Sequence, residues 1–407
     1  VARLSTLRRT WGDAIFQNFI GKRTYAILTG DAKKRLRLLD NDVDFYLINY
    51  EGLSIGAKKT KRGLVLDRLS RAIQERADIR IAIIDEASAY RNPTSLRFKV
   101  AKEVLSRRPY FWQLTGTPTP KAPTDAYGLA NLRGSLGWES FKSFRDRTML
   151  QKSTFKWVPR KEAKEIVASV LVPAIRFRQE DAFDAPPRTY DYVEAELSET
   201  QRKLFQTMQA NLILHLKSGG KVTAANEGVL RMKLIQIAGG AVYDEAHKTH
   251  FIDAKPRYDE MHAIIEKAPT KVIVFAPLTG ILNGISVSLQ QLNYVLIDGS
   301  ITNETRDRAL REFQRRDGGP DILLAHPGPI ARGLDFTSAS TVIWFTPTDN
   351  PEDYQQANER INGIGQKNPM SIFHIYATPV EREIYRRLRD QQSLQGAILK
   401  LLERNKS

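Results

Sequence analysis

The 407-residue chain is 42% hydrophobic and 27% charged, too apolar for a disordered segment, and it holds no apolar run near the ~20 residues of a membrane-spanning helix. Its 62 Lys and Arg against 46 Asp and Glu leave a net charge of +16, which points to a polyanionic partner, nucleic acid first and an anionic membrane second. Without cysteine there are no disulfides, thiolate zinc sites or cysteine catalysis, in keeping with a reducing interior, and no signal peptide argues for export.

Short β-branched apolar runs predict strands at 24–28, 45–49, 80–84 and 110–114, with a helix over 95–105. Strands alternating with helices imply a parallel sheet, and a continuous run such as Ile81-Ala82-Ile83-Ile84 suits a sheet covered on both faces. From 119 to 190 the chain is rich in Pro and basic residues and shows no strand rhythm. Helices are expected at 199–216, capped by Ser198 and ended by Gly219-Gly220, and at 224–237. The α/β rhythm returns with strands at 271–275, 294–297, 321–325, 341–345 and 371–376, and helices at 304–315, 351–361 and 380–389.

Asp85-Glu86 directly follows the strand at 80–84, and open α/β sheets place ligands at the carboxyl ends of their strands. One carboxylate there can hold Mg²⁺ and the next can orient or deprotonate a water; equally, Asp85 or Ser88 can cap the following segment. Thr115-Gly116-Thr117-Pro118 ends the next strand in a polar turn, which reads alone as an ordinary strand stop.

Taken together, Asp85-Glu86 and, about thirty residues on, Thr115-Gly116-Thr117-Pro118 resemble superfamily-two helicases, and the Swi/Snf-type branch in particular. The second half carries its own likenesses. Val272-Ile273-Val274-Phe275 resembles the strand opening a second RecA-like lobe, and Asp298-Gly299-Ser300 is similar to the family's Asp-Gly-Ser segment. Residues 322–345, with Arg332 and the loop Gly333-Leu334-Asp335, resemble its fifth motif, and Gln355-Gln356 to Arg360 and on to Gln366 its sixth. Gln356 and Arg360, one turn apart, share a helix face. The wording of that last motif and the compact connector look most like small bacteriophage and prokaryotic members.

The resemblance implies an α/β fold of two RecA-like parallel-sheet lobes in tandem with a helical insertion and connector. The first lobe is expected over 1–178 with the insertion from about 119, the connector over 179–255, and the second lobe with a C-terminal helix over 256–407. It implies ATP and Mg²⁺ as cofactors and DNA, duplex by family likeness, as partner. Asp85 is expected to hold the metal, Glu86 to position the attacking water, and Arg360 with Gln356 to stabilise the γ-phosphate. Arg332, Gly333 and Asp335 are expected near the nucleotide, Thr115, Gly116 and Thr117 to couple hydrolysis to lobe closure, and Ser5, Thr6 and Ser300 to touch nucleic acid. The setting implied is the interior of a prokaryotic or phage-infected cell.

Two departures stand out. No Gly-x-x-x-x-Gly-Lys string followed by Ser or Thr occurs, and the family places that phosphate loop upstream of the segment that Val1 to Trp11 resembles. The initial Val fits an N-terminal truncation, the rival being a protein that has lost its nucleotide site and only binds nucleic acid. Gly363 stands where the family's second arginine is expected. Asp244, Glu245, His247, His250 and Asp253 read as a solvated loop before a metal site. The basic run 152–164 is either a solvated face or a phosphate track in which Phe155 or Trp157 stacks on a base.

Overall fold

The computed structural model describes residues 1–153, 156–177, 184–217, 224–315, 317–330 and 336–404. The chain falls into two units whose bodies are Val1–Arg176 and Phe177–Gln392.

In the first, β1 (Tyr25–Ile27) pairs in parallel with β2 (Phe45–Leu47). An antiparallel hairpin follows, of β3 (Lys58–Thr60) and β4 (Gly63–Val65), and then a second parallel pair, β5 (Ile81–Ile84) and β6 (Tyr110–Gln113). Residues 1 and 2 join the two parallel pairs. Ala2 N–H donates to Ile48 O at 3.0 Å, the Val1 amine to Ile83 O at 2.6 Å, and Asp85 N–H to Val1 O at 2.9 Å. The parallel run is therefore β1, β2, residues 1–2, β5, β6. Leu28, Ala82 and Ile84 pack with Phe98, Val100 and Val104 of the helix Leu96–Leu105 into its core. Ser95 caps that helix, accepting from Phe98 N–H at 3.2 Å.

The expectation of cover on both faces is corrected here. Ile81, Tyr110 and Trp112 are 51%, 50% and 53% exposed, and the register pairs Ile81 with Tyr110 and Ile83 with Trp112, so one face of β5 and β6 is open. The insertion also differs from a purely helical one. Between the helices Ala126–Arg133 and Ala163–Leu171 lies a basic antiparallel hairpin, β7 (Met149–Ser153) with β8 (Lys156–Pro159). Tyr127, Phe144 and Val167 fill the insertion's own small core.

The second unit is built on one six-stranded parallel sheet. Chain order gives β9 (Arg188–Glu194), then a small antiparallel pair of β10 (Ala241–Tyr243) and β11 (Thr249–Phe251). β12 (Lys271–Phe275), β13 (Tyr294–Ile297), β14 (Ile322–Ala325), β15 (Ala339–Trp344) and β16 (Met370–Tyr376) follow. The order across the sheet is β13, β14, β12, β15, β16, β9. Ile273, Phe275, Leu323 and Trp344 go to one core and Val272, Val274, Leu324 and Ile343 to the other, the alternation of a sheet covered on both faces.

β9 lies inside the stretch 179–255 expected as helical connector, and it forms the sheet's edge instead. Its Thr-Tyr-Asp-Tyr-Val run favours a strand, and Tyr190 and Tyr192 stack on His374 of β16 at 6.3 and 5.0 Å. The connector helices are present as Glu199–Lys217 and Ala224–Gly239. Ser198 and Gln201 cap the first reciprocally, at 3.2 and 3.0 Å, while Gln201 Nε2 donates to Ile237 O and Ala238 O of the second. The last helix runs Pro379–Arg404, longer than expected.

His374 is fully buried between these strands. Nδ1 lies 3.2 Å from Asp191 O, which only accepts, so Nδ1 carries the proton and Nε2 accepts from the Tyr354 hydroxyl at 2.7 Å. Burial, far more than any neighbouring charge, holds its pKa down to about 4. Because the folded pKa is depressed, the unfolded chain takes the proton first as pH falls. The unit is expected to lose roughly 3 kcal/mol between pH 6.5 and 4 and to flatten below. Urea unfolding against pH checks this, and an identical slope in His374→Gln would refute it.

Candidate functional site

The carboxyl ends of β5 and β6 bring together the two motifs of the first unit. Leu114 N–H donates to Ile84 O and Ala87 N–H to Leu114 O, both at 2.8 Å, so Asp85-Glu86 runs beside Leu114-Thr115. Both acids are half-buried. Asp85 Oδ2 accepts from Trp11 Nε1 at 3.0 Å, and its carbonyl accepts from the Tyr50 hydroxyl at 2.6 Å. Burial first, with the charges of Asp85 and Glu86 and against that of Arg3, raises the Tyr50 phenol, which stays a donor. Trp11 and Tyr50 are positioning residues that sequence reasoning missed. Trp11 sits at the edge of a quoted segment; Tyr50 opens a one-turn helix after β2 and carries no signal by itself.

Glu86 adopts φ 46°, ψ 56°, the left-handed region, which a non-glycine residue occupies only when its surroundings enforce it. The bonds of Asp85 and Ala87 on either side supply that enforcement. In the neighbouring turn, Thr115 Oγ1 accepts from Thr117 N–H at 3.1 Å, while Gly116 is exposed with open space where a Cβ would stand. The Thr117 and Thr119 hydroxyl oxygens are buried with no hydrogen-bond partner among the described residues. Buried hydroxyls without a partner call for one, which a bound water or a ligand at this turn would supply.

In the second unit, Gln356 lies on the helix Pro351–Glu359 and Arg360 is its C-cap, so the two keep the one-turn spacing. Gln356 is 8% exposed and Arg360 half-buried. Glu359, between them, takes a two-pronged bond from Arg188 of β9 at 2.8 and 3.0 Å. The Gln366 side chain is wholly occupied in shaping the following loop. It donates to Ala339 O and Ile361 O and accepts from Lys367 and Asn368 N–H. Ser300 is exposed after β13 and donates to Asp298 at 2.6 Å, holding that carboxylate below its usual range. Arg332, Gly333 and Asp335 lie outside the described residues.

Other expectations shift. Ser5 is exposed, but Thr6 is buried and donates to Arg3 O at 3.0 Å, so its hydroxyl closes a turn and is not presented to nucleic acid. One face of Trp157 is covered by the Arg145 guanidinium at 4.2 Å. Phe155 lies outside the described residues. The cluster at 244–253 spans the turn and second strand of the β10–β11 hairpin and the residues just after it, with Asp244 accepting from Lys248 N–H at 2.9 Å and lying 2.8 Å from His250 Nε2. Among the described residues no group of three or more His, Cys, Asp or Glu is placed to hold a metal ion, and no helix is long and apolar enough to cross a membrane.

A model of the SNF2-related domain matches residues 1–238, and a model of the helicase conserved C-terminal domain matches residues 257–365. The chain is 23% identical over 348 residues to Nuclear protein STH1/NPS1 of Saccharomyces cerevisiae, covering 78% of this chain and 26% of that protein. It is 22% identical over 340 residues to the probable ATP-dependent DNA helicase CHR12 of Arabidopsis thaliana, covering 78% of this chain and 30% of that protein. Both relatives are eukaryotic, unlike the small phage and prokaryotic proteins suggested by the wording of the sixth motif, and the chain spans less than a third of either. Among solved structures, the Sulfolobus solfataricus SWI2/SNF2 ATPase core in complex with dsDNA is 20% identical, with a TM-score of 0.41 over 99% of this chain and 83% of that one.

Proposed function

The chain belongs to the SNF2-related family, and on that footing we propose that the whole protein is an ATP-dependent DNA translocase or helicase, spending ATP to move along or open duplex DNA. The observation that carries the reading is the convergence of Asp85-Glu86 and Thr115-Gly116-Thr117 at the carboxyl ends of adjacent parallel strands. The net charge of +16 supports a polyanionic track.

The residues fit a Mg²⁺–nucleotide. One half-buried carboxylate, steered by Trp11, suits an ion held mainly by phosphate oxygens and water, and the orphaned Thr117 hydroxyl leaves a bond to be made. When bound, the ion neutralises phosphate charge as the phosphoryl group leaves. In this reading Asp85 holds the ion and Glu86 orients the attacking water and takes its proton. Arg360, with Gln356 behind it, answers charge on the γ-phosphate, and the loop with Arg332, Gly333 and Asp335 helps to bind nucleotide. Thr115–Thr117 relay the change at Glu86, and the exposed Ser5 and Ser300 touch the DNA backbone.

A second reading is a nucleic-acid-binding module without turnover. It draws on the lack of a Gly-rich phosphate loop within these residues and on Gly363 in place of an arginine. Phosphate release with and without duplex DNA separates the two, measured on this chain and on a longer form carrying upstream residues. DNA-stimulated turnover in the longer form is the expected result. DNA binding without turnover in either form would overturn the enzyme reading in favour of the module.

A further inference from the structure

The β3–β4 hairpin carries Lys58, Lys59, Lys61 and Arg62 within five residues, and residues 52–66 include no acid. All four are exposed, and among the described residues none is paired with a carboxylate. The last acid before the hairpin, Glu51, is engaged by Arg97 at 2.5 Å. The first acid after the hairpin, Asp67, is spent inward. It accepts from Ser70 N–H at 2.9 Å as a helix cap and from Gly56 N–H at 3.1 Å.

The hairpin is also a fixed shape. Thr60 Oγ1 donates to Gly63 O at 3.0 Å and accepts from Arg62 N–H at 3.2 Å, and Gly63 takes φ 125°, open to glycine and strained for other residues. The tip cations are thus carried on a pinned turn.

We propose that this hairpin forms a grip for nucleic-acid phosphates, Lys59, Lys61 and Arg62 each reaching one. The proposal rests on the DNA-directed reading above and adds to it an element and its residues. Lysines acting as point charges follow the backbone and carry no base code, so the grip is indifferent to sequence.

The test is binding of the full protein to a mixed-sequence duplex between 50 and 200 mM salt, for the parent and for Lys59→Ala/Lys61→Ala/Arg62→Ala. Removing three phosphate contacts is expected to make the log–log salt slope shallower by roughly 2.7 and to weaken binding about 10²-fold at 100 mM salt. The loss should be equal on A·T-rich and G·C-rich duplexes, with an unchanged melting temperature. A parent that binds steeply and a triple variant with the same slope would overturn the grip and leave the translocase reading standing. A parent with no affinity for DNA would overturn both. Loss of binding to phosphatidylserine vesicles with DNA binding intact would assign the hairpin to a membrane surface and also overturn the grip.

Discussion

Glu86→Gln is expected to lower DNA-stimulated ATP hydrolysis by about 10²–10⁴ in the full-length protein while leaving DNA affinity and melting temperature in place. The amide keeps the shape and loses the capacity to take a proton. A purely structural role for Glu86 predicts something else, because its backbone sits at φ 46°. If Glu86 only closed the turn, Glu86→Gly would relieve the left-handed conformation and preserve turnover. In the catalytic reading Glu86→Gly raises stability by up to roughly 1 kcal/mol and is as inactive as the glutamine variant. Phosphate release and thermal melting on both variants decide the matter. Glu86→Gln turning over within threefold of the parent would remove Glu86 from the chemistry.

The site and the second sheet were legible for different reasons. β12 and β14 fall where their apolar runs predict, because strands buried on both faces need unbroken hydrophobic stretches. β9 escaped because an edge strand is wetted on one side, and Arg188, Asp191 and Glu194 break its run. The β3–β4 hairpin escaped because lysine-rich strands have neither propensity nor period to announce them. Asp85-Glu86 and the Thr115–Thr117 turn were visible as short polar signals after apolar strands. The groups that aim Asp85 were not, since Trp11 and Tyr50 reach it across 74 and 35 residues of chain. Local pattern carries no information on contacts of that span. The same limit explains Thr6, whose type suits a phosphate contact and whose hydroxyl is consumed by a turn.

The largest expected effect on stability lies at an ion pair that no pattern revealed. Arg257 and Glu381 are 1% and 0% exposed at the side chain, and Arg257 Nη2 donates to both carboxylate oxygens at 2.8 Å. The two partners differ in what else holds them. Glu381 also accepts from Ala377 N–H at 2.9 Å and the Thr378 hydroxyl at 3.1 Å, and so caps the helix Pro379–Arg404. Arg257 has Phe345 O at 2.6 Å and the Phe345 ring at 5.5 Å, with its Nε lacking a partner among the described residues. Removing one partner of a buried pair costs about 3–5 kcal/mol, because a charge is left stranded in low dielectric. The asymmetry then fixes an order. Glu381→Ala strands a guanidinium with one acceptor and uncaps a helix, so it is expected at or beyond the upper end. Arg257→Ala leaves a carboxylate that keeps two donors, so it is expected at the lower end. For a unit of this size the melting temperature should fall by roughly 10 °C, and Arg257→Met/Glu381→Leu should recover most of it. Phe345 O lies just past β15, where the chain turns toward the helix that carries Gln356 and ends at Arg360. Differential scanning calorimetry resolves the transition of this unit, and equal, small losses for the two single variants would show that the pair is a bystander in its stability.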